Sequence, residues 1–223
     1  MTVELHVFNR RGRLSALTVQ SVRDGLDDSL KRFRAHVPVE NIDIALQPAE
    51  FCTVSGRAYG PESLTIWANP DDPEIRGWDA ARFAHLFAHE LHHVLRWRHL
   101  SIPNFRAFTA GEVIVLEGLA MACERYLGFP SHRALEISDD CLLSFFERLS
   151  PDVSRPYAEM SWIDETGGLG DEIRLAQVLG YATTRRYLAE TGETPLSAVG
   201  VDWREVWDVG RPSALTSSET HRG

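Results

Sequence analysis

The chain has 223 residues, 43% of them hydrophobic and 25% charged, a composition that suits a globular protein of one domain or two small lobes. Its formal net charge of −9 repels phosphate backbones, so nucleic acid is not expected as a partner. No segment approaches the ~18 uninterrupted apolar residues of a membrane span and the N-terminus lacks a signal peptide's apolar run, so we expect a cytoplasmic protein without a membrane partner.

The first 77 residues are predicted to form a small β-rich lobe with one helix. Alternating or β-branched residues predict strands, and apolar residues at helical spacing predict the helix. The strands are expected at 3–8, 41–46 and 64–68, and the helix at 18–36. Residues 55–60 contain two glycines and are predicted to be a turn. The strand at 64–68 has two interpretations: an edge strand that pairs with an extended peptide, or an ordinary strand within the sheet.

From residue 78 to 210 the pattern predicts a helical lobe. The first helix, 79–98, carries an apolar residue every four positions, and the second opens at the capping box Thr109-Ala-Gly-Glu112 and stops at Gly128. Further helices are expected at 138–149 and 171–190, and a disordered tail at 211–223. The predicted fold is therefore α+β, a single domain over 1–210 with an N-terminal sheet lobe (1–77), a helical C-terminal lobe (78–210) and an active-site cleft between them.

The segment His89-Glu90-Leu91-His92-His93 is an HExxH motif within the first of these helices. Positions four apart lie on one face of a helix, so His89 and His93 can bind one zinc ion from the same side. Glu90 is rotated by about 100°, which places it beside a zinc-activated water instead of among the ligands. The alternative is a histidine-rich surface helix, and the apolar stripe on the same helix argues against it.

Glu112 and Glu117 compete for the position of third ligand, and their spacing turns them about 140° apart on the helix, so only one can face the metal. Glu112 has a local role in the capping box. Glu117 instead interrupts a long apolar run, where a bare carboxylate needs a cation or several donors nearby. Zinc is the favoured cation, and a buried arginine is the alternative. Gly118 predicts a close approach of two helices at this point.

The segments HELHH and Glu117-Gly-Leu-Ala resemble a bacterial domain-of-unknown-function family of predicted zinc-dependent proteases among the gluzincins. The resemblance extends over about residues 60–190 and implies zinc ligation by His89, His93 and Glu117, with Glu90 as the base. Gly180-Tyr181 is similar to a Gly-Tyr step of that family. A second such step is absent, because Ala176-Gln177 stand at its position.

Four further residues are candidates for supporting roles. Tyr181 is predicted either to donate a hydrogen bond to the oxyanion of the reaction or to be a buried structural tyrosine. Glu124 lies seven residues after Glu117 and is a candidate partner for a ligand histidine. His92 belongs to a stripe with His85 and His99, which we interpret as a polar flank of the helix. The alternative is that His92 and Arg96 support the ligands or contact a substrate carboxylate.

These features favour a zinc metallopeptidase with one zinc ion per chain and a peptide or protein as substrate. One alternative is a catalytically silent, peptidase-like binding or regulatory protein, and another is a zinc hydrolase of a non-peptide amide or ester. The presence of Glu90 favours an enzyme, because a silent binding protein has no need of a base at that position. The sequence carries no signal for the oligomeric state.

Overall fold

The structure, a computed structural model, describes residues 2–100, 108–130, 139–159 and 175–212. The strands are β1 Val3–Val7, β2 Ile42–Pro48, β3 Val54–Ala58 and β4 Ser63–Ala68. The α-helices in these ranges are α1 Ala16–Arg34, α2 Ala80–Leu100, α3 Ala110–Tyr126, α4 Asp139–Leu149, α5 Leu175–Thr191 and α6 Trp203–Gly210. Strands and one helix come first and the remaining helices follow, which confirms the predicted α+β class.

The four strands form one mixed sheet in the order β1-β2-β4-β3. β1, β2 and β4 are parallel, with Leu5 opposite Ile44 and Ile44 opposite Leu64. β3 runs antiparallel to β4, with Gly56 opposite Ile66. Ile44, Leu64 and Ile66 are at most 1% exposed, so one face of the sheet is fully covered.

One prediction about the sheet is wrong, and of the two interpretations of residues 64–68 the structure supports the ordinary strand within the sheet. Residues 55–60, expected to be a turn, include most of β3, and β4 lies between β2 and β3 instead of at an edge. Gly56 lowers the intrinsic strand propensity of β3, and pairing with β4 overrides that local preference. The sheet edge next to α2 therefore belongs to β3, not to residues 64–68.

The chain divides into two compact units. The first comprises Met1–Ser101 and Leu127–Phe129, the second Ile102–Tyr126 and Pro130–Gly223. In the first unit α2 packs against α1 and against β3 and β4. The predicted apolar stripe of α2 is confirmed, because Phe83, Phe87 and Leu91 are fully buried.

The second unit is a helical core in which α3, α5 and α6 pack together and α4 contacts α5. At the crossing of α3 and α5, a Cβ atom added to Gly118 would lie 2.1 Å from the carbonyl oxygen of Gly180. A Cβ atom added to Gly180 would lie 2.0 Å from the carbonyl oxygen of Ile114. Only glycine fits at either position, which confirms the close helix approach predicted at Gly118.

Several predicted features lie outside the described residues: the first residue of the helix expected at 138–149, the first turn of the helix expected from 171, and the tail from 213 onward. Among the helices of the described ranges, none has the length and apolar character needed to cross a membrane.

Candidate functional site

His89 and His93 lie one helical turn apart on α2, and their imidazole rings meet edge to face with centroids 4.5 Å apart. The helix is long and anchored by its buried apolar stripe, so the backbone beneath both rings is rigid. His93 is 6% exposed and His89 is half-buried. The two rings are therefore held on one face, as the HExxH spacing predicts.

Glu90 is buried at 5% exposure and its carboxylate reaches the sheet. The backbone N–H of Ala58 in β3 donates to Glu90 Oε2 at 2.8 Å. Gly56 provides the room for this side chain, since an added Cβ would lie 2.6 Å from Glu90 Cγ and 2.9 Å from Oε1. A buried carboxylate needs such a donor, and Ala58 is a contact that the sequence analysis did not predict.

The amide of Ala58 belongs to the outer edge of the sheet. Tyr59 N donates to the carbonyl of Ser63 and Asn69 N donates to the carbonyl of Thr53, so the odd-numbered residues of β3 face β4. In an antiparallel ladder the intervening residues direct their backbone groups the other way. The backbone groups of Gly56 and Ala58 therefore point to the edge that β4 does not cover, and Glu90 binds at that edge.

Glu117 lies on α3 and is half-buried, whereas every other residue from Val113 to Glu124 is buried. The apolar run is thus open at Glu117 alone. Glu112 forms the predicted capping box: its Oε2 accepts from Thr109 N at 2.6 Å, and Thr109 Oγ1 accepts from Glu112 N at 3.3 Å. Glu112 is consequently engaged at the helix start, as predicted.

His89, His93 and Glu117 each offer one ligand atom, and these three atoms all lie within 4.8 Å of one another. Zinc–ligand bonds of about 2.0–2.2 Å place tetrahedral ligand atoms roughly 3.4 Å apart. Two imidazoles and one carboxylate are a common donor set of catalytic zinc sites, which leave one position for water or substrate. The three residues therefore form a candidate metal site that fits zinc.

Gln177 on α5 is a neighbour of Glu117 that the sequence analysis did not assign to the site. Its Nε2 donates to Glu117 Oε2 at 3.1 Å. The resemblance marked this position only as a departure, where glutamine stands in place of tyrosine. The contact joins two helices, so the spacing of motifs along the chain could not reveal it.

Tyr181 is 4% exposed and packs against Met121, Ala122 and Val178. Its hydroxyl oxygen accepts a hydrogen bond from Arg125 Nη1 at 3.3 Å. These contacts suit the alternative of a buried structural tyrosine, and the role in oxyanion binding stays a prediction.

His92 and Arg96 are 0% and 1% exposed, so the interpretation of His92 as part of a polar flank is wrong. Helical spacing gives the direction of a side chain but not how deeply its face is covered. His85 and His99 differ from His92: the first is half-buried with its ring stacked on Phe129, and the second is exposed. Burial favours a supporting role for His92 and Arg96 over contact with a substrate.

Glu124 is 6% exposed, and its role beside a ligand histidine stays a prediction. Burial, with a contribution from the charge of Glu124, raises the pKa of the Cys123 thiol well above its usual range. Cys123 is therefore protonated at neutral pH and does not provide a thiolate nucleophile.

Residues 47–130 match the model of a protein family, DUF2268, described as a predicted Zn-dependent protease. The match contains β3, β4, α2 and α3, and it confirms the resemblance carried by the HELHH and EGLA segments. Gln177 and Tyr181 lie outside it. No curated protein matches the chain at a significant level.

Proposed function

We propose that this protein is a zinc-dependent peptidase that hydrolyses peptide bonds with water. His89, His93 and Glu117 hold one zinc ion, and Glu90 is the general base. The observation that carries the proposal is the convergence of these three ligand atoms within 4.8 Å, with a buried carboxylate at the position next to His89. The family match covers all four of these residues and supports the same zinc-dependent chemistry.

Zinc and Glu90 have separate roles in the proposed reaction. Zinc, when bound, lowers the pKa of water at its open position and polarises a substrate carbonyl. The Ala58 amide holds the Glu90 carboxylate in place by donating to Oε2. The carboxylate takes a proton from the attacking water and delivers it to the leaving amine, which departs as a neutral group.

The edge of β3 offers a place for the substrate backbone. The Ala58 amide is bound to Glu90, but the backbone groups of Gly56 and the carbonyl of Ala58 also point away from β4, and a peptide in extended conformation can add to such an edge as a further strand. Because Glu90 contacts the same edge at Ala58, a peptide paired with β3 passes next to the base. We therefore propose an extended peptide segment as the substrate.

Replacement of Glu90 by glutamine tests the proposal. Glu90→Gln keeps the size of the side chain but cannot accept a proton, so cleavage of a casein or peptide-library substrate should fall by about 10²–10⁴-fold. Zinc content, measured by elemental analysis, should stay near one ion per chain. Glu62→Gln, at an exposed position outside the site, is the matched control and should retain full activity.

Two outcomes would contradict the proposal. Equal cleavage rates for wild type and zinc-loaded Glu90→Gln would exclude Glu90 as the base. A zinc-loaded wild type that binds peptides but cleaves none would favour a catalytically silent binding protein. Activity should also disappear with phenanthroline and return with added zinc.

A further inference from the structure

We infer that Gln177 is a positioning residue for the third metal ligand, because its side-chain amide fixes the orientation of the Glu117 carboxylate. The inference rests on the proposed function, in which Glu117 binds the metal. The hydrogen bond from Gln177 Nε2 to Glu117 Oε2, 3.1 Å long, is its first support.

The chemistry of the two groups sets the direction of this bond. An ionised carboxylate only accepts hydrogen bonds, so the amide nitrogen of Gln177, not its oxygen, faces Glu117. The bond from Gln177 thus orients the Glu117 carboxylate, which offers one oxygen to the candidate metal site. Glutamine is suited to this task because it carries no charge that would compete with the metal for the carboxylate.

The helix crossing fixes the two side chains relative to each other. Glu117 directly precedes Gly118, and Gln177 lies three residues before Gly180. The two glycines touch so closely that an added Cβ at Gly118 would lie 2.1 Å from the Gly180 carbonyl oxygen. The distance between Gln177 and Glu117 is therefore set by two packed helices, and a ligand held in this way is already oriented before the metal binds.

The burial pattern also distinguishes Gln177 from a packing residue. From Leu175 to Tyr181, every residue of α5 is buried except Gln177, which is half-buried. Glu117 is the corresponding exception on α3. Both helices thus open to solvent at the two residues that share the hydrogen bond, and an apolar side chain would satisfy packing at position 177 without a donor.

Zinc affinity of Gln177→Met tests the inference. Methionine keeps the length of the side chain but removes the donor, and loss of an orienting partner should weaken zinc binding by about 10- to 100-fold. The affinity is measured by competition with a chelator of known zinc affinity, and thermal unfolding of the metal-free protein is followed in parallel. Gln20→Met is the matched control, since Gln20 donates to Asp24 at 2.8 Å on the exposed face of α1.

A double-mutant cycle identifies the route of the effect. In a Glu117→Gln background, Gln177→Met should weaken zinc binding no further, because Gln177 acts through the Glu117 carboxylate. Gln177→Asn, whose amide is one methylene shorter, is the second variant should methionine prevent folding, and it should weaken zinc binding in the same direction.

The inference is overturned if these variants of Gln177 bind zinc as tightly as wild type while only the metal-free protein loses stability. An equal fold-loss in the wild-type and Glu117→Gln backgrounds would overturn it as well. Failure of the proposed function has a different signature: Glu117→Gln itself would then retain wild-type zinc affinity.

Discussion

A single methyl group at Gly56 should impair the base without removing the metal. In Gly56→Ala the new Cβ would lie 2.6 Å from Glu90 Cγ and 2.9 Å from Glu90 Oε1. Carbon atoms in contact prefer separations of about 3.5–4.0 Å. Glu90 must therefore withdraw by roughly 1 Å, or β3 must move away from α2.

A displacement of this size breaks the contact that holds the carboxylate. The bond from Ala58 N to Glu90 Oε2 is 2.8 Å long, and roughly 1 Å more exceeds the range of a hydrogen bond. Misplacement of a catalytic group by 1 Å can reduce the rate by about 10²-fold. We expect kcat of Gly56→Ala to fall by about that factor, with a loss of about 1–3 kcal/mol in the free energy of unfolding from overpacking.

The assay compares kcat, zinc content and urea unfolding for wild type and Gly56→Ala on one peptide substrate. Gly77→Ala is the matched control, because its added Cβ would meet nothing nearer than Arg82 Nη1 at 3.7 Å. Gly77→Ala should therefore keep the rate and the stability of wild type. Zinc content should be equal in all three proteins, since the atoms nearest to the added methyl groups belong to Glu90 and Arg82, not to a ligand histidine or Glu117.

Wild-type kcat in a folded, zinc-loaded Gly56→Ala would refute this reasoning. It would mean that Glu90 reaches its working position without the contact at Ala58. A loss of zinc along with the rate would instead show that the added methyl group acts on the ligands through α2.

Two further predictions concern Glu117 and Tyr187. Glu117→Gln should weaken zinc retention strongly, whereas Glu112→Gln should cost only about 1 kcal/mol of helix capping. Metal analysis after dialysis against a chelator measures the first effect, and thermal unfolding measures the second. Reversed results would exchange the roles of the two glutamates. Burial, assisted by two nearby carboxylates, raises the pKa of Tyr187 to about 12. The ordinary pKa of tyrosine is about 10, so the neutral hydroxyl of Tyr187 stabilises the folded protein fully below pH ~10. This contribution to the free energy of unfolding is lost as the pH rises through ~12. Urea unfolding across this range should show a smaller decline for Tyr187→Phe, and an unchanged decline would exclude Tyr187 as its source.

The local parts of the site could be predicted from the sequence. The HExxH spacing places His89 and His93 on one face because helical geometry depends only on neighbouring residues. The capping box likewise assigned Glu112 to the helix start, since both of its partners lie within four residues. With Glu112 engaged there, Glu117 was the remaining candidate for the third ligand.

The features that could not be predicted all depend on how separate elements pair and pack. β3 was missed because a strand at a sheet edge depends on its partner β4, and its own residues include a glycine. The burial of His92 and Arg96 was missed because helical periodicity does not indicate how deeply a side chain is buried. Gln177 was missed because only the crossing of α3 and α5 brings it to Glu117.

Gly56 explains both the failed prediction of β3 and the close approach of Glu90 to this strand. A residue with a side chain would have made β3 easier to recognise, because glycine weakens a strand. That side chain would also occupy the space of Glu90, whose Cγ lies within 2.6 Å of the position of the missing Cβ. Local strand propensity is thus given up where the strand must approach the proposed base, a conflict expected at functional sites. The glycine therefore makes room for Glu90, and its substitution should slow the reaction in a protein that still folds and binds zinc.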